Sequence, residues 1–277
     1  MGPGRRTTSG LAYDRHGPSD RLPVVLVHAG IADRRMWDPV WDQLTIERDV
    51  IRLDLRGFGE SDIRPPGRVD HVGDVVALLD ELAVPACHLV GASFGAGVAV
   101  ETALTRPDRV RSLLLAPPGG SLLAELTPAL RSFFAAENDA LALGDLGAAV
   151  DANVDTWVVG AGREEAAVTP GVVAAVRVMQ RRAFDIAADW GPVDTVELDP
   201  PALERLDRLT APILVVVGGH DLDTTHDAAD RVIAGATSGR RIDWDDVAHL
   251  PAMERPAEFV RLLLDWTNAT EQLEPGR

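Results

Sequence analysis

The stretch that decides the fold is His88-Leu89-Val90-Gly91-Ala92-Ser93-Phe94-Gly95-Ala96-Gly97. It begins as an apolar run typical of a buried strand, and from Phe94 its pattern is that of a helix. A sharp strand-to-helix turn would hold Ser93 in strained backbone geometry, which the small neighbours Gly91 and Gly95 permit. Its hydroxyl would then point out of the sheet, beside the helix N-terminus and the amide of Phe94. The stretch predicts an exposed serine at a place that favours negative charge.

Buried strands of this kind recur along the chain and alternate with helical patterns. The apolar runs cover residues 22–27, 50–55, 88–90, 110–116 and 213–217, and the helical patterns include residues 69–82 and 94–105. Strand and helix that alternate in this way are typical of a parallel sheet covered on both faces. We therefore predict an α/β fold with a mostly parallel, doubly wound sheet flanked by helices.

The alternation lapses over residues 121–201, which are rich in Ala and Leu at helical spacing. It resumes at residues 211–217 and 240–244 and ends in a helix over residues 256–267, before a frayed tail at residues 271–277. The predicted organisation is an α/β core over residues 1–120 and 202–277, with a helical cap inserted over residues 121–201.

Composition narrows the classes of function. A chain of 277 residues with 46% hydrophobic and 25% charged residues is typical of one large globular domain. Its net charge of -16 repels phosphate backbones and anionic lipid headgroups, so we expect neither a nucleic-acid nor a membrane partner. The single cysteine, Cys87, cannot form an internal disulfide, and its apolar surroundings predict a buried structural thiol. The N-terminal residues lack the apolar stretch of a secretory signal, which predicts a cytoplasmic protein, and a homodimer is left open.

A serine hydroxyl is a weak nucleophile unless a base takes its proton and a third group orients that base. His249 follows the last strand pattern and precedes the terminal helix, where its alternative interpretation is an exposed loop histidine. Asp221 follows the long apolar strand, at the end where open α/β sheets gather functional loops. Its alternative interpretation is a solvated loop carboxylate. These two residues are the candidate base and acid for Ser93.

The whole set of motifs resembles the α/β-hydrolase superfamily. His28-Ala29-Gly30, the segment 54–62, the serine turn, Gly219-His220-Asp221 and Ala248-His249 follow one another in the family's order. The resemblance implies a catalytic triad of Ser93, Asp221 and His249, no cofactor, and a structural role for the segment 54–62. It also implies an oxyanion hole formed by the backbone amides of Phe94 and Ile31, with Gly30 allowing a close approach. Ala29 stands where the family usually has glycine, which restricts the loop before Ile31.

The sequence does not support an aspartate nucleophile, a zinc site or a nucleotide-binding site. Members that open epoxides or displace halide carry aspartate at the nucleophile position, where this chain has Ser93. The remaining histidines show no paired zinc-ligand spacing, and the glycines near Ser93 do not form a nucleotide-binding Gly-x-Gly-x-x-Gly motif.

Specificity is expected to lie with the inserted helices. The candidate pocket residues are His28, Gly30, Trp157, Met179, Arg181 and Phe184. For the apolar members, the alternative is that they pack the cap against the core, and for the arginine cluster at residues 177, 181 and 182 it is a solvated helix face. A small or medium apolar ester or lactone fits best, and a carboxylate-bearing substrate would give the arginines a role.

Two further functions stay open at this stage. The same triad serves for carbon–carbon bond hydrolysis, perhydrolysis, a lyase step or cyclisation on this fold. A ligand-binding protein that has lost turnover is the alternative outside enzymes, although an intact Ser, Asp and His set argues against it.

Overall fold

The structure, a computed structural model, describes residues 4–272. Its strands are β1 (Arg5–Arg6), β2 (Ala12–His16), β3 (Val24–Val27), β4 (Val50–Leu53), β5 (Cys87–Ser93), β6 (Val110–Pro118), β7 (Ile213–Gly218) and β8 (Gly239–Trp244). Over the described range they form one eight-stranded sheet in the order β1-β2-β4-β3-β5-β6-β7-β8. The pairs β1·β2 and β2·β4 are antiparallel, and the other neighbouring strands are parallel.

Helices cover both faces of this sheet. They are α1 (Asp38–Glu47), α2 (His71–Glu81), α3 (Phe94–Thr105), α4 (Pro128–Ala142), α5 (Leu146–Asn153), α6 (Val172–Trp190), α7 (Asp223–Gly235), α8 (Pro251–Glu254) and α9 (Pro256–Glu271). Side chains of α1 and α9 join the core cluster on one face, and those of α2, α3 and α7 join the cluster on the other. The predicted doubly wound α/β architecture is confirmed.

The elements between β6 and β7 are all helices or helical turns over the described residues. Besides α4, α5 and α6 it has a π-helical stretch, Val154–Val159, directly after α5. We call residues 121–201 the inserted segment. Several of its apolar side chains, among them Val176 and Met179, belong to the core cluster on the α1 and α9 face.

Most predicted elements lie within a few residues of their observed bounds, and α3 coincides with its prediction. The sequence analysis missed the strands β1 and β2 and the helices α1 and α7. β2 reads Ala-Tyr-Asp-Arg-His, so it lacks the apolar run that identified the central strands. The predicted frayed tail is wrong at Glu271, which ends α9, and residues 273–277 lie outside the described range.

No helix of the described chain, residues 4–272, combines the length and apolar character that crossing a membrane requires.

Candidate active site

Ser93 occupies the last position of β5, and α3 begins at the next residue. Its φ of +53° is in the region that side-chain-bearing residues rarely adopt. The neighbouring glycines are required by close contacts: a Cβ on Gly91 would lie 2.4 Å from the carbonyl oxygen of Gly95, and one on Gly95 would lie 2.4 Å from that of His28. The local geometry is therefore the strained strand–turn–helix that the motif requires.

Glycines of two neighbouring loops pack closely against Ser93 and Phe94. Phe94 is the first residue of α3, and the first N–H groups of a helix have no acceptor inside it. Gly30 packs against Phe94, because a Cβ on Gly30 would lie 3.4 Å from Cβ of Phe94. On the other side, a Cβ on Gly119 would lie 3.0 Å from Oγ of Ser93. The assignment of the Phe94 and Ile31 amides to an oxyanion hole remains a prediction.

Asp221 and His249 lie together on the loops that follow β7 and β8. Nδ1 of His249 is 2.7 Å and 2.8 Å from the two carboxylate oxygens of Asp221. Both residues are buried, at 2% exposure for His249 and 5% for Asp221. A carboxylate only accepts hydrogen bonds, so Nδ1 of His249 is the donor to Asp221, and in the tautomer that carries its proton on Nδ1 the other nitrogen, Nε2, is the acceptor.

Nε2 of His249 is buried and has no hydrogen-bond partner among the described residues, Ser93 included. A buried polar atom without a partner is costly, and it is frequent at catalytic sites. Hydrogen bonds between nucleophile and base are often long in the absence of substrate. The structure thus brings Asp221 to His249 and leaves the ring nitrogen that faces away from Asp221 able to take a proton.

Trp157, from the π-helical stretch of the inserted segment, packs on the imidazole of His249. The two ring centroids are 4.5 Å apart, and the ring planes meet at 45°. The backbone N–H of His249 also donates to the carbonyl oxygen of Trp157, at 3.2 Å. Single π-helical turns occur often at functional sites, and here one brings an indole onto the candidate base.

Other predicted pocket residues lie elsewhere. His28 is fully buried; its Nε2 accepts from the N–H of Leu55, and its Nδ1 donates to the carbonyl of Ala29. Burial also lowers its pKa, so His28 is a neutral residue that holds two loops together, and its predicted pocket role is not retained.

Met179 is buried along a groove of about 450 Å³ between α6 and the start of α1, and Phe184 packs partly buried against the core.

The arginine cluster of α6 is paired with acidic groups. Arg177 contacts Asp151, Arg181 contacts Asp185, and Arg182 contacts Asp62. Arg181 is also exposed over about half of its side chain, at 55%. These pairs agree with the alternative of a solvated helix face.

A cavity of about 300 Å³ lies beside α3. Phe94, Val98 and Glu101 of this helix line it, together with His71. Burial raises the pKa of Glu101 and lowers that of His71 to about 4. The residues that line this cavity include Phe94, the residue after Ser93, but not Ser93 or His249 themselves.

The segment 54–62 forms contacts of a structural turn. Asp54 is buried and accepts from the backbone N–H groups of Arg34 and Glu60, each at 2.7 Å, and its side chain is paired with the Arg34 guanidinium. Ser61 donates to the carbonyl of Asp54 at 2.7 Å.

Cys87 is buried as predicted, and burial raises the pKa of its thiol to about 12, which leaves it a protonated, unreactive group.

The sequence analysis missed a buried ion pair that joins the inserted segment to the loop of His249. Nη1 of Arg163 lies 2.7 Å from Oε2 of Glu254. Nothing in the local pattern around Arg163 indicates a partner 91 residues away.

Comparison with known proteins agrees with this fold. The model of the alpha/beta hydrolase family matches residues 24–262. The pimeloyl-[acyl-carrier protein] methyl ester esterase of Neisseria meningitidis is 26% identical over 88% of this chain and 92% of its own length. The 2-hydroxymuconate semialdehyde hydrolase of Pseudomonas sp. strain CF600 is 34% identical over 122 residues, which are 40% of this chain and 42% of that protein.

The chain spans less than half the length of the first curated relatives that it matches. Among solved structures, Est816, described as an N-acyl homoserine lactone degrading enzyme, superimposes with a TM-score of 0.72 at 26% identity. That superposition covers 92% of this chain and 96% of Est816. With a family model matched over most of its length, and with the sheet and serine turn described above, the chain belongs to the alpha/beta hydrolase family.

Proposed function

We propose that this protein is a serine hydrolase that cleaves a small or medium-sized, uncharged carboxylic ester or lactone through an acyl-enzyme on Ser93. The observation that carries the proposal is the buried Asp221–His249 hydrogen bond, which leaves Nε2 of His249 unpartnered. This pair supplies the two groups that a serine nucleophile needs, a base and a residue that orients it.

In the proposed mechanism, Nε2 of His249 takes the proton of Ser93 as Oγ attacks the carbonyl carbon. Asp221 keeps the ring in the required tautomer and stabilises the imidazolium that forms. The amides of Phe94 and Ile31 donate to the tetrahedral oxyanion. The imidazolium then protonates the leaving alcohol, and a water molecule activated by His249 releases the acid from Ser93.

The pairing of the α6 arginines and the net charge of the chain support an uncharged substrate over a carboxylate. The three α6 arginines already have acidic partners, and the chain carries a net charge of -16. The names of two relatives, a methyl ester esterase and a lactone degrading enzyme, agree with an ester or lactone.

The test is a panel of p-nitrophenyl esters and lactones, assayed with the wild type and Ser93→Ala, together with fluorophosphonate labelling. We expect turnover of at least one ester or lactone, a loss of several orders of magnitude in Ser93→Ala, and a label on Ser93 by mass spectrometry. Near-normal turnover by Ser93→Ala would disprove the mechanism. A protein that labels but cleaves no ester or lactone would instead support carbon–carbon hydrolysis or a lyase step.

A further inference from the structure

The short segment from Trp157 to Arg163 contacts the loops of both triad partners. N–H of Ala161 donates to the carbonyl of His220, the residue before Asp221, and the carbonyl of Ala161 accepts from Nδ1 of His220, each at 2.8 Å. Gly160, between these contacts, has a φ of +81°. A Cβ there would lie 2.4 Å from the carbonyl oxygen of His220 and 2.8 Å from Cβ of Ala248. This part of the inserted segment is therefore fitted closely against the candidate site.

Arg163 ends the segment and satisfies several acceptors at once. Its guanidinium donates at 2.7 Å to the carbonyls of Val158 and Val159, at the end of the π-helical stretch that carries Trp157. It also donates to the carbonyl of Asp246, in the loop of His249, and to Glu254. A rigid, planar guanidinium is suited to such a set of fixed acceptors.

Glu254 continues the connection to His249. One of its carboxylate oxygens accepts from Arg163, and the other accepts from the N–H of Ala248 at 2.8 Å. Both side chains of the pair are buried, with 5% of Arg163 and 3% of Glu254 exposed. Hydrogen bonds thus connect the stretch that carries Trp157, through Arg163 and Glu254, to the residue before His249. The direct contact between the indole of Trp157 and the imidazole of His249 joins the two ends of this connection.

We propose that Arg163 and Glu254 are positioning residues that hold His249 and Trp157 against each other. In this arrangement Trp157 stabilises the protonated form of His249, because an aromatic face attracts a cation within about 6 Å. In the proposed mechanism this imidazolium forms when His249 takes the proton of Ser93. The role differs from that of a pocket wall, which was the role predicted for Trp157. The proposal deepens the proposed function and rests on it in one respect, that His249 is the base.

Turnover tests the effect on the base. Glu254→Met removes both hydrogen bonds, and we expect kcat to fall about 10- to 100-fold with KM within about twofold, since a misplaced catalytic group costs this much. Glu254→Gln keeps one of these two hydrogen bonds through its amide oxygen and turns its NH2 group toward the other donor, so its kcat should fall less than that of Glu254→Met. The double variant Arg163→Met/Glu254→Met leaves no lone buried charge, and it should keep the low kcat. A double variant with wild-type kcat would overturn the positioning role.

The matched control is Arg255→Gln, which removes the Arg255–Asp246 pair in the same loop. That pair is exposed, at 39% and 59%, and kcat should not change.

Hydrogen exchange tests the connection without any substrate. In Arg163→Met/Glu254→Met, amides of residues 154–163 and 245–254 should both exchange at least about fivefold faster than in Arg255→Gln, because the two segments lose their shared support. Acceleration of one segment alone, or of neither, would overturn the proposal. Since exchange does not depend on acyl chemistry, joint acceleration in a protein whose Ser93→Ala variant stays active would refute the proposed function while the connection stands.

Discussion

One nitrogen of His249 contacts both oxygens of Asp221, with Nδ1 at 2.8 Å from Oδ1 and 2.7 Å from Oδ2. Oδ1 of Asp221 also accepts from the N–H of Leu222, at 2.8 Å. The carboxylate is therefore held from its own loop while it orients the ring. A rotation of either side chain would break a hydrogen bond inside a buried site.

Asp221→Asn should lower kcat by about four orders of magnitude with little change in structure, because an amide can donate to Nδ1 and favour the wrong tautomer. Asp227→Asn, an exposed carboxylate on α7, is the control and should leave kcat unchanged. Steady-state kinetics on an ester that the wild type cleaves, with circular dichroism to check folding, measures both. If Asp221→Asn kept more than a tenth of wild-type kcat, Asp221 would not be the orienting acid.

Gly95→Ala should destabilise the protein and reduce activity. Alanine usually favours a helix over glycine, but a Cβ here would lie 2.4 Å and 2.6 Å from the backbone oxygens of His28 and Val27. Overpacking against backbone costs about 1–3 kcal/mol of unfolding free energy. Gly67→Ala is the control, since it is exposed with nothing within 4 Å, and should change stability by less than about 0.5 kcal/mol. Urea unfolding of both variants should separate them, and equal midpoints would contradict the close approach.

Esters that carry a carboxylate should be poorer substrates than neutral ones of the same length. The three α6 arginines are paired with acidic partners, so a substrate carboxylate would lose hydration without gaining a free guanidinium from this cluster. We expect kcat/KM for p-nitrophenyl hemisuccinate to be at least about tenfold below that for p-nitrophenyl butyrate, a cost of about 1.4 kcal/mol or more. A preference for the hemisuccinate would show that one of the arginine pairs opens for the substrate.

Stability should fall as the pH drops from 6.5 to 4, in part because of His88. Burial lowers the pKa of His88 from 6.5 to about 4, at a site where Nδ1 contacts Ser112 and Nε2 contacts Glu271. The unfolded chain binds a proton in this range while the folded chain does not, so the stabilisation is present above pH 6.5 and is lost on acidification. The contribution of this one group is at most about 3 kcal/mol.

His88→Asn removes the titrating ring, and its unfolding free energy should depend less steeply on pH between 6.5 and 4. Urea unfolding at several pH values gives the slope for both proteins. Identical slopes would mean that His88 is not kept neutral by the fold.

The sequence predicted those parts of the site that local patterns encode. The turn at Ser93 and the loop of Asp221 follow the apolar strands β5 and β7, the loop of His249 follows the more polar β8, and a parallel sheet brings the carboxyl ends of its strands to one edge. The contact of Trp157 with His249 and the pair of Arg163 with Glu254 depend on how the inserted segment packs, which no short pattern records. His28 is a case in which a local pattern misled the prediction. Its place in the His28-Ala29-Gly30 motif suggested a pocket residue, but both nitrogens of its ring form hydrogen bonds with backbone groups of Ala29 and Leu55.

The two edges of the sheet bear on how the protein behaves when concentrated. One edge is β1, which consists only of Arg5–Arg6, and the other is β8, which carries Arg240, Arg241 and Asp243. Unprotected apolar edges invite strands from neighbouring molecules, and a short strand or charged side chains at the edge discourage this pairing. Both edges of the described sheet have one of these protections, so strand pairing between neighbouring molecules in a concentrated solution should be discouraged at either edge.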